Sequence, residues 1–538
     1  MSMRFPVSFA VVVFAGALAC SPVEETEPPS SAAFFAEGAE AAGLDFVHDP
    51  GLSGEFLMPE IMGSGVALLD YDGDGDLDVY LVQSAGPNRL FRNERNPSGE
   101  LRFSDQTEAS NLGDTGYGMG VAVGDYDDDG DPDLFVSNVG ANRLYRNDGG
   151  TFVDATTPDV ADDRWSTSAT FFDYDSDSDL DLFFTNYVDF TPRNNKDCFD
   201  PAGARDYCAP TVYRPAPDRL LRNDGGTFTD VSSPAGFGAA FGNGLGVTAA
   251  DFDNDGLPDL YVANDGTANQ LWMNQGDGTF ENTALMAGAA YNADGLPEAG
   301  MGVSAADFDG DGDEDLFMTH LAQETNTLYL NNGRGEFRDE TNRYGLGGAS
   351  TPFTGFGMRF FDYDADGLLD LFVANGGVTI VESQRGDPYP YRQTNLLFRF
   401  DSQRFVEVTE RAGPAYQQLL VGRGAAFGDL DLDGDTDIVV NNNNGPASLL
   451  LNQAAARGFR VRIEGSSTGA RVALVREGVV VAWRRIHRDG SYLSSSEPVA
   501  EFGALEEGDR LGVVWRDGVR ETFLPAPMIQ KGAGDPWP

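Results

Sequence analysis

The chain alternates short apolar runs with dense polar punctuation on a repeating plan. A run of small and apolar residues, such as "GMGVAVG" (118–124) or "GNGLGVTAA" (242–250), leads into an aspartate-rich stretch. A second apolar run follows, such as "DLFVSN" (133–138) or "DLYVAN" (259–264). Next comes a segment like "NRLYRNDGGTFVDAT" (142–156), which reads as strand, Asn-Gly type turn, strand. The runs are too short for helices and suit strands, so each unit holds about four antiparallel strands. Four-stranded units in tandem predict the blades of a β-propeller. The expected fold is all-β: a seven-bladed β-propeller with a small C-terminal all-β domain.

The aspartate-rich stretch sets the count, because it recurs seven times. It reads "DYDGDGDLD" (Asp70, Asp72, Asp74, Asp76, Asp78), then "DYDDDGDPD" (Asp125, Asp127, Asp129, Asp131, Asp133). "DYDSDSDLD" (Asp173, Asp175, Asp177, Asp179, Asp181) and "DFDNDGLPD" (Asp251, Asp253, Asp255, Leu257, Asp259) follow. The last three are "DFDGDGDED" (Asp307, Asp309, Asp311, Asp313, Asp315), "DYDADGLLD" (Asp362, Asp364, Asp366, Leu368, Asp370) and "DLDLDGDTD" (Asp429, Asp431, Asp433, Asp435, Asp437). Positions 1, 3, 5 and 9 are Asp in every copy, and position 6 is Gly except for Ser178. Alternate carboxylates around a Gly turn predict a calcium loop: side chains at 1, 3, 5 and 9 and the carbonyl at 7 supply oxygens. Asp76 and its counterparts, Leu257 and Leu368 included, lend only that carbonyl. An EF-hand is excluded, since position 12 is apolar (Leu81, Val136, Val262) and lies in a β-run. Up to seven Ca²⁺ sites are expected, the Ser178 loop being the weakest. The Asp128 and Glu314 side chains stand outside the ligand set. "FAEGAEAAG" (35–43) matches the outer-strand pattern of the other units and is expected to complete the seventh blade, removing two open sheet edges.

A formal charge of −50 disfavours nucleic acid as a partner and favours bound cations, and 41% hydrophobic residues suffice for a core. The N-terminus reads as an export signal over 1–19: Arg4, an apolar Val7–Leu18 stretch, then "GALAC". "ALAC" resembles a bacterial lipobox, which makes Cys20 the expected lipidation site, with 20–33 as a flexible tether and the membrane as one partner. Cys198 and Cys208, an even pair ten apart in an exported chain, suggest a disulfide. The expected location is the bacterial envelope, at the outer membrane or cell surface, otherwise periplasmic or secreted.

The acidic nonapeptides between strands, with "FGDLDLDGD" (427–435), resemble the FG-GAP or VCBS repeats of integrin α-like propellers over 34–453. That resemblance implies Ca²⁺ in the loop joining the first two strands of a blade. Residues 458–530 carry "GARVAL", "DGSYLSSSEP", "EFGAL" and "VVWRDG", and resemble the ASPIC/UnbV domain that follows VCBS repeats in bacterial exported proteins and in the cartilage acidic protein family. The stretch before "GARV" is shorter than the family's.

The longest repeat spacing comes from an insert, "NYVDFTPRNNKDCFDPAGARDYCAPTVYRPAPD", after the second strand of unit three. It and the long unit-six loop are expected on the face opposite the calcium loops. Their aromatics and cations, Tyr187, Phe199, Arg205, Tyr207, Arg214, Tyr389, Tyr391 and Arg392, make a candidate face for a protein or glycan. The alternative is that they plug the channel. His48, His320 and His487 lie far apart, His487 reads as a surface strand residue, and no catalytic motif stands out. The sequence therefore favours a binding or adhesion scaffold with mainly structural Ca²⁺ over a propeller hydrolase or lyase acting on a carbohydrate or envelope substrate.

Overall fold

The computed structural model describes residues 33–200, 203–378, 390–454, 457–465 and 468–537. The export signal, Cys20 and most of the tether lie outside the described residues. Among the described residues no helix is long and apolar enough to cross a membrane.

Among the described residues the repeat folds into seven four-stranded antiparallel sheets. Sheet one runs Val66–Leu69, Asp78–Leu81, Arg89–Asn93 and Phe103–Asp105 in spatial order. Sheets two to six repeat that order, with first strands Gly118–Gly124, Ser166–Phe172, Gly244–Ala250, Val303–Ala306 and Gly355–Phe361. Sheet seven starts at Gly422–Gly428 and takes its fourth strand from the other end of the chain: Phe35 pairs with Asn452 and Glu37 with Leu450. Only Phe35–Glu37 of the expected 35–43 strand pairs this way; Ala39–Ala42 form a helical turn instead, ended by Gly43 at φ 78°.

The second strands are continuously apolar because both their faces are buried. In sheet two, Leu134 and Val136 pack with sheet one, while Phe135 packs with sheet three. Neighbouring first strands pack beside one another along the series, and the first strand of sheet seven packs beside that of sheet one.

In six of the seven sheets an asparagine ties the sheet to the one before it. Asn147, Asn223, Asn274 and Asn331, at the ends of third strands, donate to the carbonyls of Tyr71, Tyr126, Tyr174 and Phe252 in the preceding sheet, at 2.7–2.8 Å. Asn452 donates to Tyr363 O at 3.0 Å, and Asn93 of sheet one donates to Leu430 O of sheet seven at 2.8 Å. Sheet six has Phe400 at this position.

The C-terminal region is all-β. Phe459–Ile463 pairs with Ala500–Phe502 and Met528–Ile529, and Val479–Arg485, Arg471–Arg476, Arg510–Val514, Arg520–Phe523 and Asp535–Pro536 form a second sheet. Its own core includes Val461, Val472, Ile486, Phe502, Leu511 and Trp515. Between the strands, residues 489–497 run among the first strands of the repeat sheets. Asp489 Oδ2 accepts from Ala249 N (sheet four) at 2.7 Å and from Thr170 Oγ1 (sheet three) at 3.2 Å. Ser491 Oγ accepts from Met358 N (sheet six) and donates to Ala425 O (sheet seven). Val121 N (sheet two) donates to Leu493 O, and Ser495 N donates to Val66 O (sheet one).

Candidate metal centres

Each aspartate loop joins the first and second strands of a sheet, so all seven emerge at equivalent ends. The turn is held by its own side chains. Asp70 accepts from Asp74 N at 3.0 Å and Gly75 N at 2.9 Å, and Asp74 Oδ1 accepts from Asp76 N at 3.3 Å. Position 6 is left-handed throughout, from φ 89° at Gly367 to 97° at Gly130, with Ser178 at 83°. Position 4 is left-handed too: Gly73, Asp128, Ser176, Asn254, Gly310, Ala365 and Leu432 all have φ between 55° and 80°.

Position 9 does more than the sequence suggested. One oxygen of Asp78 accepts from Asn93 N at 2.8 Å and the other from Tyr71 N at 3.0 Å, stapling loop to third strand. The first of these bonds recurs in all seven sheets at 2.7–2.9 Å. Sequence reasoning had these aspartates as ligands only. The donor is a backbone N–H, supplied by Phe400 in sheet six as by Asn in the other six, so no side chain in the sequence signals it.

The carboxylates converge. Oxygens of Asp70, Asp72 and Asp78, of Asp125, Asp127 and Asp133, and of Asp173, Asp175 and Asp181 lie within 4.8 Å of one another. Asp251, Asp253 and Asp255, and Asp307, Asp309 and Asp311, do the same, and two more such groups bring the total among the described residues to seven. Burial pushes the Asp78 carboxyl up to about 9 despite its two backbone donors, and Asp72 and Asp76 push it the same way. Asp133, Asp181 and Asp259 are pushed to about 8, again mainly by burial.

A metal ion fits these residues. Asp72 Oδ1, Asp127 Oδ1, Asp173 Oδ1, Asp251 Oδ1, Asp364 Oδ1 and Asp431 Oδ1 are buried oxygens with no hydrogen-bond partner in the protein. Buried polar atoms ordinarily have one. An all-oxygen donor set suits a hard divalent cation. Arginines approach some loops: Arg92 lies 2.8 Å from Asp72 and 2.7 Å from Asp74, and Arg399 lies 2.6 Å from Asp364 and 2.5 Å from Asp366.

The insert after unit three joins a second strand to a third, so it emerges at the end opposite the loops. Cys198 and Cys208 form a disulfide within it. Its aromatics are not offered outward as expected. Tyr187 is buried edge-on to Trp165 with its hydroxyl on Asp265, and Tyr207 is buried with its hydroxyl 2.9 Å from Glu60 Oε2. Tyr391 is buried as well. These tyrosines are corrected to core residues: they join Met58, Met119, Leu245 and Tyr492 in the central cluster or lie close to it, which is the plugging alternative. Arg205 is half-buried, its guanidinium on Glu55 O and Asp197. Phe199 is 62% exposed, and Arg214 and Arg392 are exposed; Tyr389 lies outside the described residues.

The histidines do not converge. His48 sits 3.2 Å from Ser84 Oγ, His320 lies 3.8 Å from Glu298, and His487 bonds Asp489 at 2.9 Å. His487 is buried rather than a surface strand residue, and burial pulls its imidazole down to about 4.

Repeated four-stranded antiparallel sheets, each with an acidic loop after its first strand, define a propeller-like class of repeat proteins. FG-GAP-like repeats match residues 70–136, 125–184, 203–262, 251–318 and 307–373, and the ASPIC and UnbV family matches 464–531. The chain belongs to the FG-GAP repeat family and carries a C-terminal ASPIC/UnbV domain. It is similar to mouse cartilage acidic protein 1, 26% identical over 502 residues that cover 86% of this chain and 71% of the mouse protein. The human protein is likewise 26% identical, with 86% and 70% covered. Among solved structures, an Agrocybe aegerita lectin recognising terminal N-acetylglucosamine aligns with TM-score 0.41 and 16% identity, covering 72% of this chain and 94% of the lectin. The BP39L lectin of Burkholderia pseudomallei aligns with TM-score 0.44 and 11% identity, covering 73% and 97%.

Proposed function

We propose that the chain is an exported, calcium-stabilised seven-bladed β-propeller that serves as a binding or adhesion scaffold. The observation that carries this reading is the set of seven oxygen-only aspartate clusters with buried, unpartnered carboxylate oxygens. Calcium suits their donor number and flexible geometry better than magnesium, which demands a rigid octahedron. Bound calcium would supply the positive charge that lets crowded, buried carboxylates stay ionised. Side chains at positions 1, 3, 5 and 9 and the carbonyl at 7 would hold it.

A closed ring is supported by three links between the ends of the series: Phe35 on Asn452, Asn93 on Leu430, and the packing of the outermost first strands. A single segment, 489–497, also bonds first strands of six sheets, as an axial peptide inside a ring would. On this reading the propeller would span 34–453, and the C-terminal domain would begin at 458 and run past the expected 530 to include the strand Asp535–Pro536. Export by residues 1–19 and anchoring through Cys20 would place the scaffold on the envelope. The partner, a protein or glycan, would meet the disulfide-pinned hairpin around Phe199, with Arg214 and Arg392 exposed on loops that join second to third strands at the same end of the sheets.

Thermal unfolding tests the calcium reading. Chelator should lower the midpoint by roughly 10 °C or more, and calcium should restore it, since each saturated site adds up to about 4 kcal/mol at a thousandfold excess over Kd. A midpoint indifferent to chelator overturns it. Capture from envelope extracts tests the partner surface: Phe199→Ser should lose what the unaltered protein retains.

A further inference from the structure

A cavity of about 490 Å³ lies where the C-terminal domain meets the aspartate-loop ends of sheets three and four. Its volume is in the range of small-molecule sites, which favour such joints between domains. Three of the chain's five tryptophans line it: Trp483, Trp515 and Trp537. Trp483 and Trp537 stand with ring centroids 5.7 Å apart, and the Arg471 guanidinium lies 4.9 Å above Trp483.

The polar lining contains a mismatched pair. Glu314 and Arg485 line the cavity with side chains 4% and 7% exposed. Glu314 Oε2 and Arg485 Nε are 3.5 Å apart, yet neither atom has a hydrogen-bond partner. The two charges face each other as a long ion pair, but a buried carboxylate oxygen and guanidinium N–H left without a hydrogen bond are costly. Neither is spare metal-binding capacity, because Glu314 stands outside the loop's ligand positions. The neighbouring carboxylate, Asp489, is already engaged by Ala249 N and Thr170 Oγ1.

What would satisfy both atoms must accept from Arg485 and donate to Glu314. A hydroxyl does both. An anionic ligand would face Glu314 and Asp489, and a cationic one would face Arg485 and Arg471. Aromatic rings beside the pair suit the C–H face of a sugar ring. We propose that this cavity is a binding site for a neutral carbohydrate, with a ring against the tryptophans and hydroxyls bridging Glu314 and Arg485. The site lies at the loop end of the sheets, opposite the Phe199 hairpin, and stands independently of any partner there.

Tryptophan fluorescence tests it, because Trp165 and Trp272 are fully buried elsewhere. The full chain, with calcium present, is titrated with glucose, galactose, N-acetylglucosamine and cellobiose, and with glucuronate and glucosamine as charged counterparts. At least one neutral sugar should give a saturable shift with a Kd in the millimolar range or tighter. Trp537→Ala and Glu314→Gln should each weaken that binding about tenfold or more, the first at a residue remote in sequence from every aspartate loop. No saturable change by about 50 mM of any neutral sugar, stronger binding of the charged sugars, or unchanged affinity in both variants would overturn the site. The chelator shift of the thermal midpoint, read on the same sample, reports on the calcium scaffold separately.

Discussion

Ser178 carries a conformation that its six counterparts assign to glycine. Its φ of 83° puts an L side chain in the left-handed region, and it is exposed, so no packing depends on the hydroxymethyl group. Ser178→Gly should therefore stabilise the chain by about 1 kcal/mol, the left-handed penalty less glycine's entropy cost, with a matching rise in thermal midpoint. A fall in midpoint would show that the loop gains nothing from the change. Position 6 was legible because one residue type recurs there. Position 4 was not: Gly73, Asp128, Ser176, Asn254, Ala365 and Leu432 share a backbone angle but no side-chain chemistry. The tyrosines of the insert misled for a related reason. An aromatic in a long loop reads the same whether it faces a partner or, as with Tyr187 and Tyr207, fills the centre of the fold.

At the scale of the element, strand pattern and hairpin turns were readable from local sequence, whereas the links between sheets were not. The Asn of "RLYRN" repeats visibly, but its acceptor, Tyr71 O, lies 76 residues away. Asn147 is fully buried, and it also accepts from Gly150 N at 2.8 Å, so Asn147→Ala should cost about 2–3 kcal/mol in denaturant unfolding. A loss under about 0.5 kcal/mol would mean that the inter-sheet bond is incidental. The residue just before that Asn position sets a second contrast. Arg92 and Arg399 sit on loop carboxylates, while sheets four and five carry Met273 and Leu330 there. A guanidinium on the ligand oxygens competes with a cation, so Arg92→Met should raise calcium affinity at one site by about tenfold. Isothermal titration checks this: an unchanged binding curve would mean that Arg92 moves aside without cost.

At the scale of the whole molecule, the sequence announced the C-terminal domain but not where it reaches. "DGSYLSSSEP" reads as a polar loop; its serines answer backbone groups of strands more than a hundred residues apart in sequence, Ser494 accepting from Val66 N, Ser491 from Met358 N and Ser496 from Phe427 N. Such a segment makes the two domains one thermodynamic unit, because the first strands cannot satisfy those groups without it. Gly65 is where this can be tested with one methyl group. A Cβ there would stand 1.8 Å from Leu493 O, a backbone atom that cannot swing away, whereas a Cβ at Gly348 would meet nothing within 4 Å. Gly65→Ala should displace the 489–497 segment and cost about 3 kcal/mol or more, and Gly348→Ala should stay within about 0.5 kcal/mol. Calorimetry of the unaltered chain should show one cooperative transition, and Gly65→Ala should lower that whole transition and open 489–497 to protease. If the domains instead unfold in two separate steps, with the repeat sheets keeping their midpoint in Gly65→Ala, the 489–497 segment is a passenger and the sheets hold together through their packing and asparagine links.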